Sequence, residues 1–232
     1  MSAQEPGADG IRSVRSYVVR GGRVTEAQER ALRSLWPKYG LAFAPMPLDL
    51  DVTFGRQAPR SVEIGFGNGD NLAALAAAHP ERDYLGIEVH RPGVGRLLLT
   101  LEEAGRGNVR LICHDAVEVL DRQIGSQSLD EVLILFPDPW PKKRHHKRRL
   151  LQGPFVELVA DRLRVGGVLR AATDWRPYAE AALEVLSACP GLHNLSADNT
   201  FVPRPTERRP TRFEVRGERL GHEVWDLAFA RQ

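Results

Sequence analysis

The sequence predicts an α/β protein built on a doubly wound, mostly parallel sheet with helices on both faces. From residue 60 onward, short apolar segments alternate with segments of helical periodicity. The segment LDEVLILF (129–136) is nearly all apolar, as a central parallel strand buried on both faces should be. Three glycines, Gly65, Gly67 and Gly69, stand between the first strand and the first helix, where such sheets bind ligands.

The chain before this alternating region predicts an N-terminal arm, helix and loop over residues 1–59. Thr25 and Gln28 have the spacing of a capping box, followed by a short amphipathic helix. A proline-rich loop then extends over 37–59. We expect the sheet domain to occupy residues 60–232.

Within that domain the pattern predicts six strands with helices between most of them. The strands are expected at RSVEIG (60–65), DYLGIEV (83–89), NVRLIC (108–113), LDEVLILF (129–136), VLRAAT (168–173) and GHEVWDLAFAR (221–231). Helices are expected over 70–78, 94–101, a short segment after Asp115, 151–163 and 178–186. The last strand follows a loop rich in Pro and Arg (203–212), which is too long for a tight βαβ unit.

Charge is concentrated in one place. The net charge is only +2, yet residues 142–149, here called the basic segment, hold six of the 32 Lys and Arg residues. The rest of the chain then has 26 basic and 30 acidic residues, a net charge of −4. An acidic body with one basic stripe predicts a local polyanion site. A solvated face or a localisation signal is the alternative, but the segment begins four residues after Asp138, beside the expected ligand edge.

Composition argues against several protein classes. The two cysteines cannot form a disulfide framework and have no metal-ligand spacing. The first ten residues lack the apolar segment of a signal peptide, and no stretch approaches the ~20 apolar residues of a membrane span. We therefore expect a soluble, cytoplasmic protein with neither a membrane segment nor a metal.

The glycine loop VEIGFGNGD favours a cationic ligand over a dinucleotide. Glycines let a ligand approach backbone N–H groups at a helix N-terminus, although glycines also make plain turns. The third glycine comes one position earlier than the dinucleotide fingerprint requires. Glu63 and Asp70 flank the loop and would repel a pyrophosphate. S-adenosylmethionine, which carries a sulfonium and an ammonium, suits these carboxylates.

An acid follows each of the next three strands. Glu88 ends the second strand, where an acid can bind ribose hydroxyls, and Asp115 follows the third, where it could bind the adenine amino group. Either acid alone could be a helix cap or a first-turn charge. Asp138 follows the fourth strand between Pro137 and Pro139, which fix the backbone around it. Three acids at successive strand ends behind a glycine loop predict one ligand site.

Several segments resemble one enzyme family. PDPWPKKRHHKRRL (137–150) looks like the signature of the bacterial single-chain tRNA (guanine-N7)-methyltransferases, and this motif is highly specific. The segments RSYVVRGGRVTEAQERAL, VEIGFGNGDNL, YLGIEVHRPGVGRLL and TRFEVRGERLGHEVWDL match the same family. The resemblance covers roughly residues 13–230, whereas the glycine loop by itself marks only the superfamily.

The resemblance implies a seven-stranded class I methyltransferase sheet whose last strand is antiparallel. It implies methyl transfer from S-adenosylmethionine, giving S-adenosylhomocysteine, to guanine N7 in the variable loop (position 46) of tRNA. The implied S-adenosylmethionine site comprises Glu63, Gly65, Gly67, Glu88, Asp115 and Asp138, with Asp138 also catalytic. The implied substrate and RNA contacts are Lys142, Arg144, His145, His146, Lys147, Arg148, Arg149, Asp174, Thr211, Arg212, Phe213 and Glu214. Besides tRNA no obligate protein partner is evident, and we expect a monomer or a homodimer.

This chemistry is consistent with the residues. Guanine N7 has a free lone pair and no proton, so its methylation requires no general base. The reaction needs placement of N7 against the methyl carbon and a carboxylate to offset the positive charge that grows on the purine. We expect Asp138 to do the latter, Lys142 to anchor a phosphate or base edge, and Asp174 to bind guanine donor groups. The alternatives are a non-catalytic RNA-binding module, an NAD-dependent dehydrogenase and a methyltransferase with another substrate.

Overall fold

The computed structural model describes residues 15–18, 22–206, 208, 214 and 223–232. Its first elements are helices α1 (Glu26–Ser34) and α2 (Trp36–Tyr39), strand β1 (Gly40–Leu41) and helix α3 (Leu50–Phe54). The alternating part then comprises β2 (Arg60–Ile64), α4 (Asp70–Ala78), β3 (Asp83–Ile87), α5 (Arg91–Glu103), β4 (Val109–Ile112), α6 (Ala116–Arg122), β5 (Leu129–Leu135), a 3₁₀ helix (Lys143–Arg148), α7 (Gly153–Arg162), β6 (Leu163–Thr173), α8 (Arg176–Ser187), β7 (Leu192–Asn194) and β8 (Trp225–Arg231).

The strands form one mixed sheet in the order β1-β4-β3-β2-β5-β6-β8-β7. The pairs between β1 and β6 are parallel, whereas β8 runs antiparallel to both β6 and β7. The predicted fold class and the antiparallel last strand are confirmed. The described residues contain eight strands rather than seven, because Gly40 and Leu41 add a short edge strand to β4. A two-residue strand carries no periodicity by which the sequence could reveal it.

Two apolar clusters fill the space between the sheet and its helices. Residues of α6, α7 and α8 pack against one face, and residues of α1, α4 and α5 pack against the other. Alternation along the strands explains this division, because neighbouring residues such as Tyr84 and Leu85 belong to opposite clusters. The central strand β5 contributes to the first cluster through Val132 and Ile134, and Leu133 is also buried. This agrees with its continuous apolar sequence.

The predicted start of α1 is confirmed. The Thr25 hydroxyl accepts a hydrogen bond from the Gln28 N–H (3.3 Å), and the Gln28 side chain accepts one from the Thr25 N–H (2.9 Å). This helix packs closely on α5, where a Cβ placed on Gly95 would come within 2.8 Å of the Gln28 side chain. The arm helix is therefore part of the same core as the sheet, and the division at residue 59 stays a prediction.

Parallel pairing brings the carboxyl ends of β2, β3, β4 and β5 to one edge of the sheet. The glycine loop and the acids that follow these strands therefore meet there. Across the described part of the chain, no helix combines the length and apolarity needed to cross a membrane.

Candidate active site

A cavity of about 230 Å³ opens at this carboxyl edge. It is lined by four of the predicted residues, Gly65, Glu88, Asp115 and Asp138, together with apolar residues at the strand ends. The grouping of these acids in one site, predicted from their positions after successive strands, is therefore observed. Ser16 and Tyr17 of the N-terminal arm also line the cavity.

The glycine loop has the backbone that only glycine adopts readily. Gly65, Gly67 and Gly69 have φ of 71°, 58° and 78°. A Cβ on Gly65 or Gly67 would meet no atom within 4 Å, whereas one on Gly69 would collide with Leu97 at 2.6 Å. The first two glycines thus leave open space beside the cavity, and the third permits helix packing.

Glu88 holds this loop in place. One carboxylate oxygen accepts a hydrogen bond from the Gly67 N–H (2.8 Å), and the other accepts from Val89 N–H (2.7 Å) and His90 N–H (3.0 Å). The residue is only 8% exposed. A carboxylate has about four lone-pair positions, so roughly one remains for a ligand hydroxyl.

Asp115 combines a structural and a ligand-facing role. Its carboxylate accepts from the Val117 N–H (2.9 Å) and so caps α6, which is the structural alternative that the sequence allowed. It also lines the cavity, where it is hydrogen-bonded to the Tyr17 hydroxyl. Burial, and then the charge of Asp115, raise the pKa of Tyr17. Asp115 therefore already has a phenolic partner at the position where an adenine amino group is expected.

Glu63 does not line the cavity, but its charge interacts with that of Glu88, which does. It is 3% exposed and accepts a hydrogen bond from the Asn71 amide at 3.0 Å. Burial raises the pKa of Glu63 to about 8, and the nearby charges of Glu131 and Glu88 act in the same direction. The carboxyl is thus mostly protonated at neutral pH. A cation brought next to it would favour its ionised form.

The turn that carries Asp138 is strained on both sides. Phe136 and Trp140 have φ of 52° and 45°, a left-handed conformation that costs roughly 1–3 kcal/mol for a residue other than glycine. Pro137 and Pro139 restrict the backbone between them. Asp138 is exposed at the rim of the cavity. Strain of this kind persists only where the surroundings impose it, which is common at functional sites.

The basic segment begins at this turn and forms a 3₁₀ helix over Lys143–Arg148. Lys142, Lys143, Arg144 and Lys147 are exposed. The guanidinium of Arg148 lies 5.0 Å from the centre of the Trp140 ring, and His145 meets that ring edge-on at 5.7 Å. Partial desolvation, and then the neighbouring cations, lower the pKa of His145. Its imidazole is therefore neutral at pH 7.

Arg149 differs from the other cations of the segment because it is buried, with 8% exposure. Its Nε donates to the Pro139 carbonyl (3.0 Å), and its guanidinium lies 5.0 Å from the Tyr178 ring centre. A second guanidinium nitrogen lies 3.2 Å from His146 Nε2. The structure thus places Arg149 behind the Asp138 turn, where it braces the backbone.

Comparisons with known proteins identify the family. Residues 57–227 match the family model described as "Putative methyltransferase". A tRNA (guanine-N(7)-)-methyltransferase of Pseudomonas paraeruginosa is 56% identical over 99% of this chain and 94% of its own length, and that of Edwardsiella ictaluri is 56% identical over 95% and 93%.

The chain belongs to the tRNA (guanine-N7)-methyltransferase family.

Solved structures agree with this family at the level of the fold. A 16S rRNA (adenine(1408)-N(1))-methyltransferase from Catenulisporales acidiphilia superposes with a TM-score of 0.52 and 20% identity, covering 80% of this chain and 92% of its own. An rRNA methylase from Streptococcus thermophilus gives a TM-score of 0.51 at 16% identity, covering 75% and 87%. At such identities the superpositions show only that the sheet architecture is shared.

Two further residues that the family resemblance assigned to the substrate, Asp174 and Glu214, do not line this cavity. Asp174 is half-buried just after β6. Glu214 is 1% exposed and bound to Arg208 and Arg204. The other three predicted substrate residues, Thr211, Arg212 and Phe213, are outside the described residues. Among the residues described, no group of three or more His, Cys, Asp or Glu side chains could hold a metal ion.

The sequence alone did not identify two parts of this methyltransferase site. Ser16 and Tyr17 reach the cavity because the Trp140 indole N–H donates to the Ser16 carbonyl at 3.0 Å, across 124 residues of chain. His114 lines the cavity and stacks on Phe43 with ring centres 3.8 Å apart. The family match in the arm, RSYVVRGG, was the only signal for the first pair, and nothing in the pattern indicated the second.

Proposed function

We propose that this protein transfers a methyl group from S-adenosylmethionine to N7 of a guanine in tRNA, in the variable loop. The observation that carries the proposal is one cavity that joins the glycine loop to three acids, with the basic segment starting at its rim. The relatives named tRNA (guanine-N(7)-)-methyltransferase support the choice of substrate.

The residues at the cavity fit S-adenosylmethionine. Gly65 and Gly67 leave room beside the loop, and Glu88 and Asp115 offer acceptors for ribose hydroxyls and an adenine amino group. Glu63, which is buried, would ionise when the ammonium group of S-adenosylmethionine lies near it, since an adjacent cation lowers the pKa of a carboxyl. All three acids favour a ligand with positive charge. When bound, S-adenosylmethionine supplies a methyl group activated by its sulfonium.

Asp138 is the residue we assign to the transition state. Guanine N7 attacks with its own lone pair, so no side chain has to remove a proton. The purine gains positive charge as the new bond forms, and a fixed carboxylate at the rim stabilises that charge. The strained turn matters because it holds Asp138 in one orientation before the substrate arrives.

The basic segment would bind the RNA backbone. Lys142, Lys143, Arg144 and Lys147 are exposed on or just before the short 3₁₀ helix that follows Asp138, so phosphates bound there would lie beside the cavity. Such contacts give affinity without reading sequence, and folded RNA is read largely by shape. We infer a cytoplasmic enzyme that acts as a monomer or a homodimer without another protein.

Nucleoside analysis tests the proposal. Unmodified tRNA would be incubated with the pure protein and methyl-labelled S-adenosylmethionine, digested and examined by mass spectrometry. We expect labelled 7-methylguanosine, mapped to the variable loop by partial digestion. A label in another nucleoside would refute the assigned reaction. Absence of any label, together with no heat of binding for S-adenosylmethionine, would instead support the RNA-binding alternative.

A further inference from the structure

Arg208 occupies the centre of a buried ionic cluster outside the cavity that we assign to S-adenosylmethionine, here called the donor cavity. It is 6% exposed and donates to both carboxylate oxygens of Glu214, at 2.6 and 3.0 Å. It also donates to both oxygens of Asp226, at 3.1 and 2.9 Å. One guanidinium thus joins Glu214 to Asp226 of strand β8. Lysine could not replace it, since a planar fork is needed for both pairs.

The cluster lies directly behind the Asp138 turn. Arg208 is 5.7 Å from the centre of the Phe136 ring, and Phe136 is the left-handed residue that begins the turn. The Phe136 N–H donates to Ala172 in β6 at 2.8 Å, and Ala172 is in register with Asp226. The guanidinium therefore contacts the Phe136 ring, while β6 holds the Phe136 backbone. A cavity lined by Arg208 and the donor cavity share Leu135 as a wall.

Fold stability alone does not explain an ionic cluster at this place. Apolar side chains of similar volume often stabilise a core as well as a buried ion pair does. What the guanidinium adds is a fixed position, since four hydrogen bonds define its plane. A strained φ needs such support from its surroundings. A shift of Phe136 out of the left-handed region would move Asp138, two residues later in the chain.

We propose that Arg208 is a positioning residue for methyl transfer, which acts through Phe136 on the orientation of Asp138. This inference rests on the proposed function. It also gives Glu214 a structural role in addition to any guanine contact, because its carboxylate holds Arg208 in place.

The primary test is Arg208→Lys, measured by single-turnover methylation with saturating tRNA and S-adenosylmethionine. We expect the rate to fall by about 100-fold, the usual effect of misplacing a reactive group by ~1 Å. The dissociation constant for S-adenosylmethionine should change by less than a few-fold, since Arg208 does not line the donor cavity. The control is Arg170→Lys, which alters the 2.9 Å hydrogen bond to Glu131 in the cavity that Arg208 also lines. Its rate should match the wild type.

A double-mutant cycle separates positioning from general destabilisation. If Arg208 acts through Phe136, the double variant Arg208→Lys, Phe136→Leu should methylate at nearly the rate of the slower single variant. Rate losses that multiply would overturn the proposal, as would a wild-type rate for Arg208→Lys. The reaction of the wild-type protein is read in the same assay. If the wild-type protein forms no 7-methylguanosine, the proposed function is refuted. If the wild type is active but the rate losses of the two single variants multiply in the double variant, only the positioning role of Arg208 is refuted.

Arg208→Lys could also fail to fold, because two buried carboxylates lose part of their pairing. A triple variant, Arg208→Met with Glu214→Gln and Asp226→Asn, removes the three buried charges and leaves the volume of the cluster nearly unchanged, while the partly exposed Arg204 remains. We expect this variant to melt near the wild-type temperature and still methylate slowly. Recovery of both melting temperature and rate would overturn the proposal.

Discussion

Replacing Glu63 with glutamine tests the electrostatics of this buried acid, whose charge interacts with that of Glu88. Glutamine has nearly the same shape and can keep the 3.0 Å contact with Asn71, but it cannot ionise. In the wild type, burial raises the pKa of Glu63 to about 8 in the folded protein, against 4.5 in the unfolded chain. Between these values the folded protein keeps a proton that the unfolded chain releases. Stability contributed by the neutral carboxyl is complete below pH 4.5 and is lost as the pH rises to 8.

The size of the effect follows from that difference. Each pH unit between the two pKa values lowers the free energy of unfolding by about 1.36 kcal/mol, so the wild type loses about 4 kcal/mol by pH 7.5 and under about 1 kcal/mol by pH 5. Glu63→Gln has no such loss. The variant should therefore be more stable than the wild type by under about 1 kcal/mol at pH 5 and by about 4 kcal/mol at pH 7.5.

Urea unfolding of both proteins at the two pH values measures this directly. Other titrating groups are common to both proteins and cancel in the comparison, and pH 5 is the internal control. A stability difference that stays constant with pH would show that Glu63 ionises near its ordinary value in the folded protein. Titration calorimetry of S-adenosylmethionine binding, in buffers with different heats of ionisation, gives a second measurement: the number of protons released on binding. S-adenosylmethionine binding at pH 7 should release close to one proton from the wild type and none from the variant, which should also bind more weakly.

Three further predictions concern the rim, the arm and the basic segment. Asp138→Asn should lower the single-turnover rate by roughly 100-fold or more with an unchanged melting temperature, and a near wild-type rate would remove its assigned role. Tyr17→Phe should tighten S-adenosylmethionine binding by roughly tenfold, because a hydrogen bond to a charged group no longer has to be broken; weaker binding in calorimetry would contradict this. Neutralising Arg144 and Lys147 should each reduce the log–log salt slope of tRNA binding by roughly 0.7–0.9, whereas Arg149→Ala should leave the slope unchanged and lower the melting temperature.

The main architecture could be predicted because it depends on local pattern. Parallel strands end at one edge, so acids placed after successive strands had to meet, and Glu88, Asp115 and Asp138 do line one cavity. Strand β1 could not be predicted, since two residues have no period and pair only because β4 offers an edge. The sequence placed Glu63 beside the glycine loop but did not indicate its burial, which is the main cause of its raised pKa; the charges of Glu131 and Glu88 add to it.

In the basic segment, too, the sequence could not predict the role of each single residue. In the sequence, Arg148 and Arg149 are equivalent members of one charged run. In the structure, Arg148 lies over the Trp140 ring and Arg149 is buried against the Pro139 carbonyl. The difference arises because the 3₁₀ helix ends at Arg148, and Arg149, the next residue, turns toward the Asp138 turn. Composition can indicate a polyanion site, but it cannot assign each cation to RNA or to the fold.

The hydrogen bond between Trp140 and the Ser16 carbonyl has a practical consequence for inhibitors. A compound aimed at the donor cavity would compete with a piece of the protein's own chain, because Tyr17 already engages Asp115 there. The measured potency of such a compound would include the free energy needed to release that segment. Compounds that carry a phenol in place of adenine could reuse the existing contact, and shortening the chain before α1 would change potency rankings without altering any atom of the sheet.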